Sequence, residues 1–258
     1  MEKFESNIST KEIADLRYLI SKGRTVDWGS YSYNDAGISF QSLSFILDYW
    51  ENKFSWKEEE KKLNKFEQYI FNEGNCKTHF LHIKSHKKNA IPLVLIHGWP
   101  GSVFEFFDVI PLLTNPEANN FLNYQHFDLI IPSLPNVGFS FDKNQHPMGL
   151  DEISNHFIKL MDSLGYDKYF IQGGDLGSFI ASIMSVKVPT KIKGIHLNMI
   201  PLPRGLDKKP NNPKEKKYYK KLKNFLHFEA GYQYLQGTKP FTLAHALNSS
   251  PVSLCAYI

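Results

Sequence analysis

Cysteine is nearly absent. The two in the chain, Cys76 and Cys255, are too few for a disulfide framework, and neither has a Cys or His nearby at metal-ligand spacing. A disulfide scaffold and a cysteine-held metal are thereby excluded, and a reducing compartment is the expectation. Long apolar runs are missing too: Ile91-Pro92-Leu93-Val94-Leu95-Ile96 is among the longest, and a membrane span requires roughly 18 residues. The opening Met1-Glu2-Lys3-Phe4-Glu5 is polar and carries no apolar leader region, so the chain is expected to be soluble. Charge of one sign is also scarce, at a formal net +4. The densest basic run, Lys214 to Lys223, is broken by Tyr218, Tyr219 and Leu222. That pattern reads as the solvated face of a helix, so no nucleic-acid partner is expected. Internal repeats and low-complexity tracts are absent.

What is present is a core-building composition, 42% hydrophobic over 258 residues, which suffices for one domain of ordinary size. Residues 1–75 differ from the rest of the chain. Ser42–Phe54 and Trp56–Phe66 carry apolar residues at helical intervals (Leu43, Ile46, Leu47 and Trp50, then Leu63 and Phe66), which predicts a helical lead segment whose Trp50 and Trp56 pack. From Thr78 strands and helices alternate. Strands are predicted at Phe80–Ile83, Pro92–Ile96, Phe127–Ile131, Tyr169–Gln172 and Ile192–Ile200, and helices at Val103–Leu113, Leu150–Leu164 (with Ile153, Phe157, Leu160, Met161 and Leu164 on one apolar face) and after Asp175. Continuous apolar strands separated by helices imply an α/β fold, a mainly parallel sheet covered on both faces. The Pro- and Lys-rich stretch Pro201–Pro213 marks a second boundary, giving three parts: 1–75, 76–200 and 201–258.

The chemistry concentrates at Tyr169-Phe170-Ile171-Gln172-Gly173-Gly174-Asp175-Leu176-Gly177-Ser178. A strand meets small residues and an apolar helical pattern comes at once after them, which is the sequence of a sharp strand–turn–helix elbow. The residue displayed at its apex is Asp175. A carboxylate there is already ionised and can displace a leaving group at a saturated carbon, leaving an alkyl ester that water must hydrolyse. Strained or activated electrophiles suit it, epoxides or alkyl halides. The competing reading is an Asp that caps the helix. A second landmark, His97-Gly98-Trp99-Pro100-Gly101-Ser102, comes directly after the strand ending at Ile96. A turn at the carboxyl end of a parallel strand is where such sheets place a site. The backbone N–H groups of Trp99 and Leu176 are the candidate donors to the oxyanion formed during ester hydrolysis.

These motifs, with Pro132-Ser133-Leu134-Pro135 between them and Asp48-Tyr49-Trp50 and Phe54-Ser55-Trp56 ahead of them, resemble the microsomal type of epoxide hydrolase, a group that includes juvenile hormone epoxide hydrolases of insects. The resemblance runs over nearly the whole chain, with motifs in the same order and spacing. It implies an α/β-hydrolase fold with an N-terminal helical arm and a cap inserted after the middle of the sheet, here incomplete. It makes Asp175 the nucleophile and His97, Gly98, Trp99 and Pro100 the oxyanion turn. It also implies a cap tyrosine that protonates the opening oxirane, and Gly231-Tyr232-Gln233 points to Tyr232, with Tyr234 as the nearby competitor. A phenol donates strongly while staying neutral at pH 7. The implied substrate is an apolar epoxide with water, and neither a cofactor nor a metal is implied. Members of the group commonly carry a membrane anchor, so cytoplasmic or endoplasmic-reticulum-associated location is the expectation.

Three departures from the pattern stand out. Leu176 replaces the usual Trp, and Asn136-Val137-Gly138-Phe139-Ser140 replaces Gly-Tyr-Gly-Phe-Ser. The base His, its acidic partner and a second cap tyrosine are expected at positions later than Ile258. The sequence is accordingly read as a partial chain of a longer enzyme or a truncated paralogue that binds apolar ligands or a partner without turnover. Haloalkane dehalogenation shares the Asp elbow, but an indole N–H beside the nucleophile would favour halide, and Leu176 offers none.

Overall fold

A computed structural model of the chain describes residues 1–27, 37–121, 124–200 and 210–258. The predicted boundary at Pro201–Pro213 lies outside the described residues as far as 209. In chain order the elements are β1 (Glu2–Phe4), α1 (Thr10–Ser21), α2 (Phe40–Asn52), α3 (Trp56–Leu63), β2 (Gln68–Glu73), β3 (Cys76–Ile83), β4 (Ile91–Ile96), α4 (Ile110–Thr114), β5 (Phe127–Pro132), α5 (Leu150–Ser163), β6 (Tyr169–Gly173), α6 (Leu176–Lys187), β7 (Ile192–Leu197), α7 (Pro213–Phe228), α8 (Gly231–Thr238), α9 (Pro240–Asn248) and α10 (Pro251–Tyr257). They form two compact units, one of Met1–Asn7 with Lys57–Leu202 and the other of Ile8–Trp56 with Pro203–Ile258. Helix α2 of the expected arm therefore clusters with the helices expected in the cap, whereas α3, also expected in the arm, belongs to the first unit.

The first unit holds a seven-stranded sheet in the order β1-β2-β3-β5-β4-β6-β7. It is mixed, which corrects the mainly parallel expectation: β1–β2, β2–β3 and β3–β5 pair antiparallel, and β4–β5, β4–β6 and β6–β7 pair parallel. The antiparallel side arises because β1 and β2 come from the stretch read as helical, and β2 folds back on β3 through Gly74-Asn75, with Gly74 at φ 59°.

Alternation along the strands divides the core into two layers. Phe80, Val94, Ile96, Ile130 and Ile171 pack with Ile153, Phe157, Leu160 and Met161 of α5 and Ile180 and Met184 of α6. Leu81, Leu95, Leu129 and Ile131 face the other way, against Leu63 of α3, Val103, Phe106 and Ile110. The predicted apolar face of α5 is thus the buried one. The helix expected at Val103–Leu113 is instead a short 3-10 turn, Val103–Phe106, and then α4. Pro111 explains the break: it lacks an N–H and its ring is tolerated only in the first turn of α4.

Two buried histidines fix the pH range of this unit. His79 lies between Ser133 Oγ at 2.9 Å and Gln68 Oε1 at 3.0 Å, and burial pushes its pKa down to about 3. His156 contacts Thr78 Oγ1 at 3.0 Å and is pushed down to about 4, again by burial. Both are neutral when folded and take up a proton more readily when unfolded, so stability is full above pH 6.5 and falls as pH drops toward 4 and 3. Urea unfolding at pH 5 is expected to give a stability about 2–4 kcal/mol below that at pH 7.5, and His79→Gln should reduce that difference.

In the second unit α1, α2 and α10 pack together. Trp50 and Trp56 line an apolar cavity of about 350 Å³ with Ile8, Ile13, Leu16 and Ile20. No helix among the described residues is long and apolar enough to cross a membrane. Both cysteines are free, and among the described residues no cluster of His, Cys, Asp or Glu is arranged to hold a metal.

Candidate active site

The chain runs from β4 outward to β5, then returns across β4 to β6. The reversal creates a switch point, the place where open α/β sheets form a crevice beyond the carboxyl ends of their strands. Parallel pairing of Ile96 with Gly173 sets the ends of β4 and β6 side by side. The two motifs found in the sequence, one after each strand, are brought together by that register.

Asp175 stands at the bend between β6 and α6 with φ 48° and ψ −123°. A residue with a Cβ adopts this region only where the surroundings enforce it, at a cost of about 1–3 kcal/mol. Enforcement comes from close approach. A Cβ on Gly173 would lie 2.2 Å from the Gly177 carbonyl oxygen, and one on Gly177 would lie 2.1 Å from that of Ile96. The small residues flanking the apex are thus required by contact. Although Asp175 occupies the N-cap position of α6, its side chain makes no capping hydrogen bond, which removes the helix-cap reading.

Instead, the Trp99 backbone N–H donates to Asp175 Oδ1 at 3.0 Å. Gly98 lets the carboxylate come this close, since a Cβ there would lie 2.4 Å from Oδ1. Leu176 opens α6, so its N–H has no intrahelical acceptor; its side chain packs partly buried on the core. Pro100 is joined to Trp99 by a cis peptide bond.

His97 is buried, with Nδ1 against the Gly98 carbonyl oxygen at 2.7 Å and Nε2 accepting the Leu134 N–H at 3.1 Å. Nδ1 must then carry the proton, and burial lowers the pKa of the ring. The residue ties the turn to the loop after β5, and both ring nitrogens are engaged. Asn136 in that loop has φ 62°, a conformation that Asn tolerates almost as Gly does. The departure from the Gly-Tyr-Gly-Phe-Ser pattern therefore leaves the backbone path open.

Tyr232 lies in the other unit, on α8, exposed, with its hydroxyl accepting from Gln233 Nε2 at 3.0 Å. Tyr234 is exposed on the same helix. A residue missed by the sequence reading is Glu105, whose carboxyl group lies against Gly101 of the turn. The available signal was Ser102-Val103-Phe104-Glu105, the spacing of a capping box.

A seven-stranded mixed sheet with helices on both faces and a strained acidic elbow at its switch point defines an α/β hydrolase. The family model of the alpha/beta hydrolase fold matches residues 91–232, and the chain belongs to that family. The chain also matches a second model, Epoxide hydrolase N terminus, over residues 1–106. It is 33% identical to Epoxide hydrolase 1 of Sus scrofa over 99% of its own length and 60% of that protein's. It is 36% identical to Juvenile hormone epoxide hydrolase 1 of Ctenocephalides felis over 99% and 58%. Among solved structures, Aspergillus niger epoxide hydrolase aligns with the whole chain and 68% of its own at TM-score 0.84 and 29% identity. Juvenile hormone epoxide hydrolase from Bombyx mori aligns with the whole chain and 62% of its own at TM-score 0.82 and 32% identity. The chain spans about 60% of the length of these curated relatives.

Proposed function

We propose that this chain carries the nucleophile and oxyanion site of an epoxide hydrolase acting on an apolar epoxide. The observation that supports the reading is the Asp175 carboxylate, displayed on a strained elbow, uncommitted to the helix cap and held at one oxygen by the Trp99 N–H. With Oδ1 so held, Oδ2 attacks a ring carbon. A C–O ester bond forms as the ring C–O bond breaks, and the ring oxygen takes a proton from Tyr232. The Tyr232 hydroxyl accepts a hydrogen bond from Gln233, which leaves its own proton to donate. Water then adds to the ester carbonyl, and the oxyanion is stabilised by the N–H groups of Trp99 and Leu176. Collapse breaks the bond from the acyl carbon to the alkyl oxygen, which takes one proton of the water and leaves as the vicinal diol; the other proton returns to the Tyr232 phenolate, and the carboxylate is restored. The base that activates this water is assigned to no described histidine, and His97, with both nitrogens engaged, is not available for it.

The test is incubation with an aryl epoxide, with diol measured by chromatography and protein by intact mass. Diol formation or a stoichiometric increase equal to the epoxide mass is the expected outcome; a folded protein giving neither contradicts the reading. Tyr232→Phe is expected to slow epoxide uptake by about 10²-fold, with Tyr234→Phe within about twofold of the parent. Equal losses in both variants would contradict the assignment to Tyr232.

A further inference from the structure

The oxyanion turn and the residue directly after it, Gly101, include two glycines, and each has a carboxylate where its Cβ would be. At Gly98 the occupant is Asp175, with Oδ1 at 2.4 Å from the Cβ position. At Gly101 the occupant is Glu105, and its Oε1 lies closer still to the Cβ position there. Glu105 folds back from the 3-10 turn Val103–Phe106. Its carboxylate is stabilised by the Ser102 backbone N–H, while Ser102 Oγ accepts the Phe104 N–H at 3.4 Å. The Glu105 half of this arrangement is that of a capping box, while the Ser102 hydroxyl meets the second N–H of the turn and not the third. Its location is what makes it consequential, because the residues it closes upon are those that deliver the Trp99 N–H.

We infer that Glu105 is a positioning residue: its carboxylate braces the oxyanion turn at Gly101, as Asp175 meets it at Gly98, and so keeps the Trp99 N–H on the nucleophile. The inference rests on the proposed role of Asp175 and adds a residue to that site. Burial raises the Glu105 pKa, the Ser102 N–H opposes this, and the Asp175 charge adds to the rise, as expected of two carboxylates on one turn. The brace works through an acceptor of the right length, which Gln can also supply. Charge is not what it contributes.

The experiment is the rate of covalent epoxide uptake as a function of epoxide concentration, for the parent protein, Glu105→Ala, Glu105→Gln and Glu152→Ala. Glu152 caps the start of α5 from its first turn, accepting the Gly149 N–H at 2.9 Å, and serves as the control for lost helix capping. Displacement of a positioning group by about 1 Å can cost about 10²-fold, so Glu105→Ala is expected to lower the limiting rate by about 10–100-fold at unchanged half-saturation. Glu105→Gln should stay within about threefold, and Glu152→Ala should react as the parent does despite a similar fall in stability. Uptake unchanged in Glu105→Ala, or lost equally in Glu152→Ala, overturns the inference. Should the parent take up no epoxide, the proposed chemistry fails on its own, and amide hydrogen exchange at Trp99 decides the brace. Faster exchange in Glu105→Ala alone supports it, and equal exchange in all four proteins overturns it.

Discussion

Asp175→Asn is expected to lower the rate of covalent epoxide uptake by at least about 10³-fold while leaving the fold intact. The size comes from the chemistry. A neutral amide has no charged oxygen with which to displace the ring oxygen, and no other described group shares its position at the elbow. The fold is expected to survive because Asn keeps the shape of the side chain and its carbonyl oxygen can still accept the Trp99 N–H. Asn is also among the residues best able to occupy positive φ, which the elbow demands at 48°. Single-turnover uptake measured by intact mass, with circular dichroism for the fold, checks both parts. A variant that reacts as the parent does would move the nucleophile elsewhere.

The second large effect is on stability. A Cβ at Gly177 would lie 2.1 Å from the Ile96 oxygen, 2.8 Å from the Ile96 carbonyl carbon and 2.9 Å from the His97 oxygen. All three are backbone atoms at the end of β4, a buried strand paired on both sides, so no side chain can swing away to make room. Gly177→Ala is therefore expected to cost about 3 kcal/mol or more, read as a lowered urea midpoint. Gly237→Ala gives the contrast. A Cβ there meets nothing within 4 Å, and the residue lies in α8, so its replacement should stabilise by about 0.5–1 kcal/mol. Equal effects at the two positions would contradict the packing described at the elbow.

The elbow was legible because its constraint is local. Gly173, Gly177 and Ser178 announce a close crossing whatever surrounds them, and the residue between them is thereby displayed at an apex. The α5 stripe was legible for the same reason, since one helix face is enough to read it. Strands β1 and β2 were not. Glu2–Phe4 is too short to show a period, and the run Gln68–Glu73 gains its identity from partners at Cys76–Ile83, although Gly74-Asn75 was a turn signal in plain view. The adjacency of Trp99 and Asp175 depends on Ile96 pairing with Gly173, a contact between residues far apart in the chain that local pattern does not encode. Glu105 was missed because its capping-box spacing lay inside a stretch read as a continuous helix, and Pro111 was the residue that should have broken that reading.

The proposed chemistry stands on one bond, an ester between an epoxide carbon and a carboxylate oxygen of Asp175. Its most direct test is to digest the protein after exposure to an aryl epoxide and locate the added mass by peptide fragmentation, with and without hydroxylamine treatment. The adduct is predicted on Asp175 and should be lost to hydroxylamine, as an ester is. A stable adduct on Cys76, Cys255 or a histidine, with Asp175 unmodified, would contradict the account.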